Sequence, residues 1–117
     1  MTDEQDTVFC KIVRGEIDAD VVYEDDYCKA FRDMNPQAPT HILVVPREHV
    51  TNLFDAQEED AELLGHLMLA AREVAEQEGL EEDGFRLVVN NGGGVGQSVF
   101  HLHLHVLGGR DFQWPPG

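Results

Sequence analysis

Positive charge is scarce in this chain. Eight Lys plus Arg stand against 23 Asp plus Glu in 117 residues, a net charge of −15, and Lys11 and Lys29 are the only lysines. Binding to nucleic acid or to anionic membranes needs cations to neutralise phosphates, so neither is an expected partner. Two cysteines, Cys10 and Cys28, allow one disulfide by count, but their context does not support it. Both sit among apolar neighbours and read as reduced core residues. No apolar run approaches the roughly 18 residues that a membrane-spanning helix needs. The start, MTDEQDTVF, is acidic and lacks the basic beginning of a secretion signal, so a cytoplasmic location is expected. Tryptophan occurs once, at Trp114, in a short Gly- and Pro-rich tail.

The acidic runs at 24–26, 58–60 and 81–83 fall where turns and helix ends are expected, and their role there is hydration. A lysine-poor, acidic surface fits a halophilic protein in a salty cytoplasm. At molar salt the Debye length shrinks to ~3 Å and the self-repulsion is screened. Stability and activity are therefore expected to rise toward molar salt, which thermal melts and rate measurements across a salt series check.

The length suits one domain, 1–117, with residues 1–6 read as a frayed start and 108–117 as a C-terminal tail. DTVFCKIVRGE predicts a short helix capped by Asp6 and ended by Gly15. ADVVYED and YCKAFRD predict a hairpin, HILVVP (41–46) a buried strand stopped by Pro46, and FRLVVN (85–90) another strand. The one long helix is expected near 58–78, with Leu63, Leu64, Leu67, Met68, Ala71, Val74 and Ala75 at helical spacing and Gly79 at its stop. His66 lies inside it and reads as a packed or exposed bystander; His49 reads as structural. The order implies an α+β fold with an antiparallel sheet.

Chemistry concentrates in SVFHLHLHVL, residues 98–107. Side chains alternate along a strand, so His101, His103 and His105 are expected on one face of a strand spanning this run. NGGGVGQS, residues 91–98, runs directly into it. Gly92, Gly93, Gly94 and Gly96 let backbone N–H groups approach an anion, and Gln97 and Ser98 add side-chain donors. Neutral imidazole is a nucleophile at phosphorus, and a second imidazole can protonate a leaving group. Metal binding is the competing use. The outer two rings start roughly 13 Å apart, which makes convergence on one ion harder, though His41 could join from another strand.

HLHLHVL matches the His-φ-His-φ-His-φ-φ pattern, φ being hydrophobic, of the histidine triad superfamily. FCKIVRGEI, YEDDYCKAFRDMNPQAPTHILVVPREHV, LLGHLM, RLVVNNGGGVGQSVFHLHLHVLGGR and the ending WPPG extend the likeness over nearly the whole chain from about residue 8. The chain resembles the nucleotide-binding, nucleoside phosphoramidase branch. The resemblance implies a five-stranded antiparallel sheet with one long helix and a short N-terminal helix, in a dimer. It implies cleavage of the P–N bond of purine nucleoside 5′-phosphoramidates through a nucleotidyl-histidine, without metal or other cofactor.

By the same resemblance His103 is the nucleophile, His105 the phosphate-contacting histidine on the leaving-group side, and His101 a support for the nucleophile's orientation. His41 completes the constellation. Asn90, Gly96, Gln97 and Ser98 stand on the phosphate side, and Asp33 holds the ribose hydroxyls. Phe9, Ile12, Ile17, Phe31 and Met34 form the base pocket, and Trp114 reaches the neighbouring protomer's site. A non-catalytic nucleotide-binding module, or a zinc protein using His41, His101, His103 and His105, are the alternatives; turnover with and without chelator separates them.

Overall fold

Parity along the strands decides which side chains meet. In the computed structural model, which describes residues 6–117, the strands are β1 (Val21–Glu24), β2 (Cys28–Arg32), β3 (Thr40–Pro46), β4 (Arg86–Val88) and β5 (Leu104–Gly108). They form one sheet in the order β1-β2-β3-β5-β4, every neighbouring pair antiparallel. β3, THILVVP, is central and wholly buried, as its β-branched, apolar sequence requires. Pro46 closes it, where a missing N–H costs no ladder bond further along.

One face of the sheet carries Cys28, Ala30, Ile42, Val44, Leu104 and Val106. The long helix α2 (Ala61–Gln77) lays Leu67, Ala70, Ala71, Val74 and Ala75 on it. Burying a Leu or Val side chain fully is worth about 1.5–3 kcal/mol, so this layer dominates the core. The other face carries Phe31, Leu43 and Val45, covered by Phe9 and Ile12 of the short helix α1 (Val8–Val13). Leu43 pairs with His105 across β3 and β5, and Phe31 pairs with Leu43 across β2 and β3. A short helix covers this second face only in part, and the uncovered remainder is where the histidines lie.

Several expectations shift in detail. Thr7, not Asp6, caps α1: its Oγ1 accepts from the Cys10 amide at 3.2 Å. Asp6 instead accepts from Arg14 at 2.7 Å; residues 1–5 of the expected frayed start lie outside the described residues. The predicted helix over 58–78 begins as a single 3-10 turn at Glu58–Asp60 before α2. Met68 is 55% exposed, because 100° per residue rotates it off the stripe set by Leu67, Ala71 and Val74. The strand expected over 98–107 is paired only from Leu104 onward. Ahead of it the Leu102 amide donates to the Val50 carbonyl at 2.6 Å, which draws 101–103 toward the loop after β3.

Candidate active site

A cavity of about 310 Å³ opens on the α1 face of the sheet. Its apolar wall is Phe9, Ile12 and Phe31, with the Phe9 and Phe31 rings edge-to-face at 5.5 Å. Ile17 and Met34 stand at its rim, Met34 fully exposed. Asp33, Ser98, His103 and His105 supply polar groups. Val8, Asp18, Leu43 and Val99 also line it, and the sequence reading did not single them out. Leu43 was legible from register, since it shares a face with Phe31 and His105.

His103 and His105 face each other with ring centroids 4.9 Å apart. His103 Nδ1 donates to the His101 carbonyl at 2.7 Å, which fixes the proton on Nδ1 and leaves the Nε2 lone pair free. A second chain of bonds sets His105. The Gln37 amide donates to His41 Nδ1 at 3.0 Å, so His41 carries its proton on Nε2. That N–H donates to His105 Nδ1 at 2.9 Å, with Asp33 Oδ2 also 3.4 Å from it. His105 therefore bears its proton on Nε2, a buried donor with no partner among the described residues. A lone pair on one ring and an unspent N–H on the next now border the same cavity.

His101 departs from the expected row. Its ring is wholly buried and does not line the cavity. Nε2 donates to the Pro46 carbonyl at 2.8 Å, and Nδ1 faces Thr7 Oγ1 at 3.5 Å and Cys10 Sγ at 3.4 Å. Its carbonyl, not its ring, touches His103. His41 is likewise buried, behind His105.

Gln97 is placed differently from expectation. It is buried, and its carboxamide is consumed by the chain itself. Oε1 accepts from the Gly92 amide (2.8 Å) and Asn52 Nδ2 (3.1 Å); Nε2 donates to the Thr51 and Val99 carbonyls (2.8 and 3.1 Å). It braces the glycine loop instead of facing a ligand. Gly96, at φ +110°, sits against the Asn90 carboxamide, and neither lines the cavity. Trp114 is 82% exposed, its indole largely in solvent.

Burial is the main cause of every histidine shift here. It pushes His101 and His105 down to about 4 and lowers His41 and His103, the last two opposed by the charge of Asp33. All four rings are thus neutral at cellular pH. Among the described residues, clustered metal-donor atoms fall into three separate groups: Asp33, His41 and His105; Cys10, His49 and His101; Asp25, Cys28 and His66. His101 and His105 belong to different groups and His103 to none, so the four-histidine zinc site weighed from the sequence does not assemble.

The family described as HIT domain matches residues 14–112. An uncharacterised HIT-like protein of Synechocystis is 60% identical over 113 residues, covering 97% of this chain and 98% of that one. A maize protein named a 14 kDa zinc-binding protein is 53% identical, covering 98% and 91%. Among solved structures, a HIT family hydrolase from Legionella pneumophila superposes with TM-score 0.92 at 52% identity, covering 94% of this chain and 98% of that one. One from Clostridium thermocellum gives 0.90 at 44%, covering 93% and 95%. No described helix is long and apolar enough to cross a membrane. Family match, fold and paired histidines agree, and the chain belongs to the histidine triad (HIT) domain family.

Proposed function

We propose that the protein is a hydrolase that cleaves the P–N bond of purine nucleoside 5′-phosphoramidates through a nucleotidyl-histidine. The observation that carries this reading is the locked tautomer of His103, whose Nδ1 proton is held by the His101 carbonyl while Nε2 stays unprotonated beside the cavity. His103 Nε2 attacks phosphorus as the P–N bond breaks, and the departing amine takes the His105 Nε2 proton; the negative charge left on the His41–His105 pair is matched by the positive charge of the nucleotidyl-His103, which keeps its Nδ1 proton. Water then attacks phosphorus, the bond to His103 breaks, the monophosphate leaves, and the water's proton returns to His105. In this reading Asp33 accepts from ribose hydroxyls and Phe9, Ile12 and Phe31 take the base; all four line the cavity. The names of the Legionella and Clostridium structures support hydrolysis. Incubation with adenosine 5′-phosphoramidate, with and without chelator, followed by acid trapping and peptide mass mapping, tests it. Chelator-resistant turnover with AMP on the His103 peptide is expected; an adduct elsewhere, or none during turnover, removes the mechanism.

The lowered histidine values carry a pH prediction. The reactive state needs neutral rings, and a lowered value keeps a ring neutral to lower pH. The kcat/KM profile is therefore expected to stay flat from pH 8 to below the ordinary histidine value of about 6.5, and to fall only at lower pH, where His103, lowered by burial, and His105, pushed down to about 4, take up protons. An acid limb centred near or above 6.5 contradicts a buried, neutral His103.

We further infer a homodimer in which Trp114 meets the partner's site. An indole 82% exposed at the end of a tail is the supporting observation, since aromatics normally bury about 150–250 Å². Trp114→Ala is expected to change relative rates across a panel of leaving groups several-fold while the melting temperature moves little. Unchanged selectivity leaves the tail without this role.

A further inference from the structure

On the α2 face of the sheet, away from the cavity, the turn between β1 and β2 meets the long helix in a cluster of three different donors. Asp25 Oδ2 lies 2.7 Å from His66 Nε2, and Cys28 Sγ lies 3.5 Å from Asp25 Oδ1. The three donor atoms all fall within 4.8 Å of one another. Cys28 is wholly buried, while the Asp25 and His66 side chains are 23% and 31% exposed. A cavity of about 490 Å³, walled in part by Tyr27, Glu62 and His66, opens beside the imidazole. The proposed hydrolysis uses none of these groups.

The carboxylate is held from behind. The Tyr27 and Cys28 amides donate to Asp25 Oδ1 at 2.8 and 3.0 Å, and the Tyr23 hydroxyl donates to Oδ2 at 2.9 Å. The His66 ring packs on Tyr27 with centroids 4.5 Å apart. Outer bonds of this kind orient ligands around metal ions. We propose that Asp25, Cys28 and His66 form a binding site for a thiophilic divalent cation of the zinc class. A thiolate, a carboxylate and a neutral imidazole together carry two negative charges, so a divalent ion makes a neutral centre, the form a half-buried site tolerates. Ligand atoms around tetrahedral zinc stand about 3.3–3.8 Å apart, so closing the cluster takes shifts of about 1 Å or less.

Binding exchanges protons and involves no redox step. The metal–sulfur bond forms as the Cys28 thiol proton leaves to solvent, and the His66 proton moves from Nε2 to Nδ1 so that Nε2 can ligate. Water from the adjoining cavity fills the fourth position. The ion would tie α2 to the β1–β2 turn and stabilise the fold by mass action.

The test uses full-length protein stripped with chelator, then titrated with Zn²⁺ followed by melting temperature and dialysis, and with Co²⁺ followed by thiolate-to-cobalt charge-transfer absorption. One metal per chain, a charge-transfer band and a raised melting temperature are expected. Cys28→Ser and His66→Gln should each weaken binding at least tenfold, and Cys28→Ser should abolish the band. Cys10→Ser should leave binding and band intact. Should Cys28→Ser fail to fold, His66→Gln decides, its side chain being partly exposed. Metal binding undiminished in His66→Gln, a band lost with Cys10→Ser (placing the ion at the Cys10–His49–His101 group), or no metal retained at micromolar concentration overturns the proposal. None of these readouts involves phosphoramidate turnover, so the two ideas stand or fall separately.

Discussion

His103→Ala is expected to lower kcat/KM for adenosine 5′-phosphoramidate by at least about 10⁴-fold while the Kd for AMP changes only a few-fold. The asymmetry follows from where His103 acts. Its Nε2 contributes mainly once a bond to phosphorus is forming, whereas affinity for the monophosphate rests on the apolar wall, Asp33 and the remaining donors. Truncating this buried ring costs stability too, about 1–3 kcal/mol from the emptied volume and the lost bond to the His101 carbonyl. Calorimetric AMP binding therefore serves as the control for folding. His105→Ala sharpens the reading, because His105 supplies a proton and not the attacking pair. Its loss should cost about 10²–10³-fold with a poor leaving amine and far less with an aryl oxide that departs unprotonated. Equal losses for both leaving groups, or a His103→Ala enzyme with near-normal kcat, would end the assignment of roles.

The pairing of His103 with His105 was legible because alternation survives even where ladder bonds do not. His103 lies outside β5, yet its ring still meets that of His105. Phe31 and Asp33 were legible for the same reason, being two residues apart at the end of one strand. His101 was not. What turns it inward is the Pro46 carbonyl, 55 positions away in the chain, and no local pattern announces a long-range partner. The meeting of Asp25 with His66 is hidden in the same way: each looked like a solvated or idle residue until the helix crossed the turn. Asp6 was the expected cap of α1, but its carboxylate is bound by Arg14 and Thr7 caps the helix instead.

Gln97 gives the case where residue type pointed to one role and packing imposes another, and a single substitution distinguishes them. Gln97→Leu keeps the volume but removes four hydrogen bonds. It strands the Gly92 amide and the Thr51 and Val99 carbonyls, with Asn52 free to turn toward water. These groups are only partly buried, so each costs toward the lower end of about 1–3 kcal/mol, and a loss of about 2–3 kcal/mol in stability is expected. Gly92, at φ +112°, is held by the Gln97 side chain and donates no hydrogen bond elsewhere among the described residues. The loop over 91–98 should loosen first, seen as faster amide exchange there than in β3. Turnover should fall at temperatures where the loop opens and recover on cooling, with KM and kcat moving together. A ligand-facing donor would behave otherwise: KM would rise at every temperature while the melting point and loop exchange stayed at their original values. The thermal melt and the exchange map thus decide between a brace and a contact without any ligand present.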